Sequence, residues 1–235
     1  VMKAPARYSF GAVMGHGGDT SPTEDTWHMN FFNEWFFYYL FGIQNNINTR
    51  PKFHYASTTF PEANGMWSFQ HDSSDVWPPE NMSTLKLYLS PTMKLRKTPS
   101  AFSFLFGLLP NIIKNNYTMQ QIVADEFKGT RFNSNFDKEN ITYTSDPLPS
   151  GMKFLGTPTL GLDYLTTSDV CQFNFQIFEV SATGQSKFVT SINYTDRDAN
   201  AWSRKQKTIN GNSHAHIFQP GSKIKVVVTN LDTRT

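Results

Sequence analysis

The sequence predicts a mainly β protein, a jelly-roll β-sandwich led by a strand–loop–helix segment. Three observations carry that expectation. From Thr157 onward apolar and polar residues alternate with period two, the pattern of strands with one face covered. Proline and glycine clusters cut the alternating runs into short lengths, as turns between antiparallel strands do. One segment alone, near the N-terminus, has both the capping signals and the apolar spacing of a long helix.

The first element is Tyr8 to Met14, a short apolar stretch that fits a buried strand. It runs into Gly15-His16-Gly17-Gly18-Asp19, whose glycines allow positive φ and close backbone approach. Ser21-Pro22-Thr23-Glu24 then sets a capping serine before a proline at the first helical position, with glutamate three residues after the cap. The helix body runs from Trp27 to Phe41, and Gly42 is its stop. Phe31, Trp35, Tyr38 and Tyr39 form an i, i+4, i+7, i+8 stripe, while Phe32, Phe36 and Phe37 spread apolar surface well past one face. A helix that apolar needs more cover than this chain brings with it. Residues 22–41 are therefore expected to be poorly covered, or used in self-association as a homo-oligomer.

After Ile47 to Arg50 the period changes. Lys52 to Thr58 and Leu85 to Leu89 alternate as strands do. Pro91 to Asn140 is the least readable stretch: Met119 to Phe127 fits a short helix and the rest reads as irregular. Further on, Cys171, Phe173, Phe175 and Ile177 alternate with Gln172, Asn174 and Gln176, which predicts a half-buried strand with one wet face. Ser181 to Gln185 turns that strand into Phe188–Tyr194, and Pro220-Gly221 turns His214–Phe218 into Lys223–Val228. Short strands joined in this way build two-sheet sandwiches, of which the jelly roll is the large version.

Composition excludes several functions. At 235 residues the chain is long enough to bury a core without staples, and its one cysteine, Cys171, rules out intrachain disulfides and multi-cysteine zinc sites. Lys+Arg 21 against Asp+Glu 19 is too balanced for a binder of nucleic acid or of an anionic membrane. The most apolar run, Phe102 to Leu109, falls far short of the ~20 residues of a membrane-crossing helix. The opening Val1-Met2-Lys3 lacks a leader pattern, and Asn230 to Thr235 follows a strand directly. Both ends read as cuts into a longer protein. Low charge with abundant Asn, Ser and Thr inclines the reading towards an exported or periplasmic location.

His16 is the candidate for chemistry. A histidine on a glycine-flanked loop between strand and helix sits where α/β folds place reacting groups. The alternative is a loop histidine making a structural hydrogen bond. As a base it needs a nucleophile and an orienting carboxylate, yet the chain has no G-x-S-x-G elbow. Gly184-Gln185-Ser186 and Gly211-Asn212-Ser213 are followed two residues later by Phe188 and Ala215, not by glycine. His214 and His216 form an H-x-H pair whose rings share a face on a strand, but a third metal ligand is lacking, so no metal and no cofactor is expected. Asp196-Arg197-Asp198 reads first as a turn with local ion pairing, and Arg204-Lys205-Gln206-Lys207 as a solvated loop. The tryptophans allow a sugar-binding platform, although aromatic rings in so aromatic a chain are mostly core. A non-enzymatic β-sandwich that binds carbohydrate or packs in an assembly is the rival reading. It calls for aligned tryptophans on one exposed face and no orphaned apolar helix.

The order of landmarks decides between them. His16 is followed by Phe31-Phe32-Asn33-Glu34-Trp35-Phe36-Phe37-Tyr38-Tyr39-Leu40-Phe41-Gly42, then by Pro51-Lys52-Phe53-His54-Tyr55, Gly65-Met66-Trp67, Trp77-Pro78-Pro79 and Leu85-Lys86-Leu87-Tyr88-Leu89. Gly156-Thr157-Pro158-Thr159-Leu160, Phe175 to Val180 and Gln219-Pro220-Gly221-Ser222-Lys223-Ile224 come later. This succession resembles the C-terminal portion of the X-prolyl dipeptidyl-peptidase and cocaine-esterase group of serine hydrolases, which includes the α-amino acid ester hydrolases. Where the family usually has Gly-Pro-Trp-x-His, this chain has Ala12-Val13-Met14-Gly15 before His16. The resemblance implies that residues 1–50 are the last strand, histidine loop and helix of an α/β-hydrolase domain, and that 51–235 are a jelly-roll domain. It further implies that His16 is the catalytic base, and that its serine and acid lie in an N-terminal α/β-hydrolase domain of the same parent chain. The substrate would be a peptide or ester, cleaved through an acyl-enzyme, with the jelly roll helping to wall the acyl pocket. Alone, the chain would be inactive.

Overall fold

A computed structural model describes residues 8–10, 22–58, 69–90, 93–98, 140–166, 169–200 and 202–229. These residues are mainly β, as the sequence predicts, with one long helix ahead of nearly all the strands. His16 and the segment Met119 to Phe127 lie outside the described residues. The chain divides into two compact units that interleave along the sequence.

The first unit contains Val1–Met82, Met152–Gly156 and Ser213–Phe218. Its strands are β1 (Tyr8–Phe10), β2 (Phe53–Thr58), β3 (Phe69–Ser74), a strand at Met152–Gly156 and another at His214–Phe218, and its helix is α1 (Pro22–Phe41). The second unit holds β4 (Tyr88–Leu89), β5 (Leu95–Arg96) and β6 (Asn140–Thr144). In chain order the strand at Met152–Gly156 is β7, and β8 (Thr159–Leu165), β9 (Cys171–Val180), β10 (Ser186–Asp196) and β11 (Arg204–Asn210) follow in the second unit. The strand at His214–Phe218 is β12, and β13 (Lys223–Thr229) completes the second unit.

In the first unit, β3 pairs antiparallel along the full length of β2, which leaves one edge of β2 for everything else. That edge is shared: β1 runs parallel to Phe53–Tyr55, and β12 joins at Thr58 before pairing antiparallel with β7. Period two then assigns the faces. His54, Ala56 and Thr58 lie on one face with Ser73, His71 and Phe69 of β3 and with His216 of β12. Tyr55 lies on the other, where Trp77 packs on a buried cluster of Tyr55, Leu155 and Ala215.

The helix α1 ends as its sequence requires. Gly42 takes φ 69, and its N–H bonds Tyr38 O at 3.2 Å, the left-handed cap that a side chain with Cβ resists. Trp27, His28, Phe31, Glu34, Trp35 and Tyr38 are half-buried, a stripe of helical period. Phe32, Phe36, Phe37, Leu40 and Phe41 face outward; Leu40 is 68% exposed.

The second unit is built on a four-stranded sheet in the order β10-β9-β13-β6, beside the two-stranded pairs β8–β11 and β4–β5. The predicted hairpin between β9 and β10 is present, its turn closed by Ser181 N–H to Gln185 O at 2.8 Å with Gly184 at φ 87. Tyr143, Tyr164, Phe173, Phe175, Ile192 and Val228 are among its buried residues. Two local expectations change, and one strand is added. Asn174 and Gln176 are buried along with Phe173 and Phe175, so the middle of β9, which lies between β10 and β13, has both faces covered and no wet one. Arg204–Lys207 is not a loop but the start of β11, paired residue by residue with β8. And β3, with one apolar residue in six, is a strand because β2 offers it a complete ladder of backbone partners.

Candidate functional site

The strand β1 and the helix α1 bracket residues 11–21, which include His16. The strand is anchored on β2 through Tyr8↔Phe53 and Phe10↔Tyr55. The helix is anchored by a ring cluster near its start. Trp27 stacks on His54 with ring centroids 4.3 Å apart and 21° between planes, and lies 4.3 Å from His71 at 33°. Phe31 adds a contact to His54 at 5.9 Å, and His28 meets Trp27 edge-on at 5.1 Å. Beneath the indole, His54 Nε2 and His71 Nδ1 are 3.0 Å apart, a hydrogen bond between two imidazoles. Burial, followed by the neighbouring His71 and His28, pushes the His54 pKa down to about 4, with Asp72 opposing. On the far face of the same strands Tyr55 is pushed up to about 12 by burial and by Asp72, which in turn lies 3.8 Å from Lys153 Nζ.

His214 and His216 do share a face of β12, with rings 6.4 Å apart and nearly parallel. His216 is fully buried, its Nδ1 2.9 Å from Thr58 Oγ1 and its ring edge-on to Phe218, which is a packing role. No group of three or more His, Cys, Asp or Glu among the described residues is placed to hold a metal ion.

In the second unit the acidic turn is closed on itself. Asp196 accepts hydrogen bonds from the Tyr164 hydroxyl, from Lys205 Nζ at 2.9 Å and from the Asp198 amide at 3.0 Å. Burial alone would raise its pKa, but these three donors outweigh burial and hold it low. Asp163 is gripped by both arms of Arg204, with Nε 2.6 Å from Oδ1, and by Gln206 at 3.1 Å. An open depression of about 320 Å³ beside it, lined by Gly161, Leu162, Asp163, Gln206, Lys207 and Thr208, therefore presents an acid already committed to partners. Of the described tryptophans, Trp27, Trp35 and Trp77 pack against other rings and Trp202 stands 72% exposed. No aligned platform forms among them.

The ring cluster escaped the sequence reading because its members lie on three elements, one of them the unpredicted β3. Only the register of β2 and β3 brings His54 and His71 together.

No protein-family model matches the sequence, and no curated protein matches it. Solved structures do. A CocE/NonD family hydrolase from Staphylococcus aureus superimposes with a TM-score of 0.61 at 11% identity, over 90% of this chain and 40% of that one. An aminopeptidase from a marine sediment archaeon of the Thaumarchaeota gives 0.56 at 14% identity, over 96% and 40%. An α-amino acid ester hydrolase gives 0.55 at 15%, over 95% and 40%. The fold is that found in these hydrolases, in agreement with the group whose C-terminal part the sequence resembles. The chain spans about 40% of their length.

Proposed function

We propose that this chain is the C-terminal part of a serine hydrolase that cleaves amide or ester bonds through an acyl-enzyme, with His16 as its general base. The observation that carries the reading is the fold-level match over 90% of this chain but only 40% of a CocE/NonD family hydrolase. That leaves room for an N-terminal α/β-hydrolase domain carrying serine and acid. The uncovered apolar side of α1 supports the same arrangement, since Phe32, Phe36, Phe37 and Leu40 would be the surface that domain covers. In this scheme residues 1–50 complete the hydrolase domain and 51–235 supply the jelly roll beside the acyl pocket. His16 takes the serine proton as the acyl bond forms and returns it to the leaving amine or alcohol; water then repeats the cycle. Acid–base help of this kind is worth ~10²–10⁴-fold in rate.

The test uses the complete gene product. It should hydrolyse p-nitrophenyl esters or aminoacyl anilides and react with a fluorophosphonate probe at a serine outside these 235 residues. His16→Gln should lower kcat by ~10²-fold or more and slow the labelling in parallel. Absence of both hydrolysis and labelling in the folded protein, or full activity in His16→Gln, would overturn the reading.

A further inference from the structure

Asn-x-Ser/Thr, with x other than proline, is the acceptor motif for N-linked sugar, and copies of it begin at Asn81, Asn116, Asn140 and Asn193. So short a motif recurs by chance in a chain rich in Asn, Ser and Thr, so the motif alone selects none of them. Backbone freedom does. A transferring enzyme must draw the asparagine amide into its active site with the hydroxyl two residues on beside it, which takes a stretch of chain that is exposed and unpaired.

Asn116 lies outside the described residues. Asn140 opens β6 and pairs with Thr229. Asn193 is exposed, but its motif is held in β10, where Asn193, Tyr194 and Thr195 pair with Asn174, Phe173 and Gln172 of β9. Asn81 differs on each count. Glu80 to Lys86 are exposed without a break, and residues 82–87 belong to no helix or strand. No hydrogen bond ties Glu80 to Leu85 to another described residue. Asn81 takes φ 65, a left-handed conformation that asparagine tolerates better than most residues. Met82 and Leu85, one and four residues on, are apolar and exposed, surface that a hydrated sugar on Asn81 would shield.

We propose that Asn81 is the acceptor of an N-linked oligosaccharide, transferred to the folded protein, and that Asn140 and Asn193 are passed over. The donor is an oligosaccharide joined to a lipid through pyrophosphate. The bond from sugar C1 to the phosphate oxygen breaks and a bond from C1 to Asn81 Nδ2 forms. The amide gives up one proton, and the lipid pyrophosphate leaves with the electron pair. Nothing is oxidised or reduced. Ser83 is the recognition residue, since its hydroxyl completes the motif.

The complete folded protein, incubated with a lipid-linked oligosaccharide and a purified single-subunit oligosaccharyltransferase, provides the test. Occupancy is read by peptide mass spectrometry after enzymatic removal of the sugar, which leaves aspartate. Asn81 should be modified, while Asn140 and Asn193 lag by ~10-fold or more because their strands must open first. Short peptides spanning the three motifs should be modified at similar rates, which assigns the difference to the fold. Asn81→Gln puts a less tolerant residue at φ 65, so Ser83→Ala is the cleaner loss: it should abolish modification, and Ser83→Thr should restore it. Protein purified from its source should carry the sugar at the same place. An Asn81 left bare in either preparation overturns the proposal. So does modification that survives Ser83→Ala, or Asn193 modified as fast as Asn81 in the folded protein. The proposal stands apart from the hydrolase reading, since none of these readouts is that activity.

Discussion

At the scale of single residues, the second unit concentrates its polar chemistry in one buried acid. Asp196 is 7% exposed and takes donors from Tyr164, Lys205 and Asp198. Truncation in Asp196→Ala takes the carboxylate acceptor from a buried tyrosine hydroxyl and from an ammonium that keeps the Asp198 carbonyl, so we expect a loss of ~2–4 kcal/mol in urea unfolding. Because the Asp196 pKa is held low, its contribution is present above the unfolded carboxylate value near 3.8 and fades as pH falls below it. Lys187 behaves oppositely. Buried on β10 across from Glu179, its ammonium is pushed down to about 7 by burial, with Glu179 opposing. From pH 7 to 10.5 the unfolded chain holds that proton and the folded one does not, so Lys187 adds a rise of stability with pH in this range. Lys187→Met should flatten the rise, which urea midpoints at pH 7 and pH 9.5 would reveal. The sequence announces neither group's role: Asp196-Arg197-Asp198 looks like an ordinary turn, and Lys187 like any surface lysine beside a hairpin.

At the scale of elements, legibility tracks how local the determinant is. The helix α1 was readable because its cap and its stop lie within the segment, and Gly42 takes the left-handed conformation that the pattern requires. The β9–β10 hairpin was readable for the same reason, through Ser181–Gln185. By contrast β3 and β11 exist because a neighbour pairs with them, and Gln206 or His71 carries no mark of that in sequence. The wet face expected on β9 failed likewise: Asn174 and Gln176 alternate as solvent-facing residues do, yet both are buried, in the middle of a strand that lies between β10 and β13. This centrality has a measurable cost. Phe175, fully buried on β9 and paired with both Ile192 and Val228, should lose ~3–5 kcal/mol as Phe175→Ala in chemical denaturation. A loss under 1 kcal/mol would mean that β9 is not the centre of the sheet.

At the scale of the molecule, the face of α1 turned away from its sheet separates two accounts by magnitude alone. Phe36 is 49% exposed and Leu40 68% in this chain, one helical turn apart. If that surface meets water in the complete protein, Phe36→Ser with Leu40→Ser removes no buried contact and should change stability by no more than ~0.5 kcal/mol per site. If an N-terminal domain covers it, each substitution empties a packed position and costs ~2–4 kcal/mol, more than enough to lower Tm by several degrees. We expect the second result, and with it a drop in soluble yield, because a contiguous apolar face of this size rarely stays open on a soluble protein. Calorimetry of the complete wild type and of the double variant decides. An unchanged Tm with unchanged light scattering would remove the structural reason for placing a partner domain there. It would leave the fold-level likeness as the sole support for the hydrolase assignment. That helix is legible in the sequence through an excess of Phe beyond what one face of a 20-residue helix can bury. The segment bearing His16 offers a glycine pattern in sequence, and His16 itself lies outside the described residues.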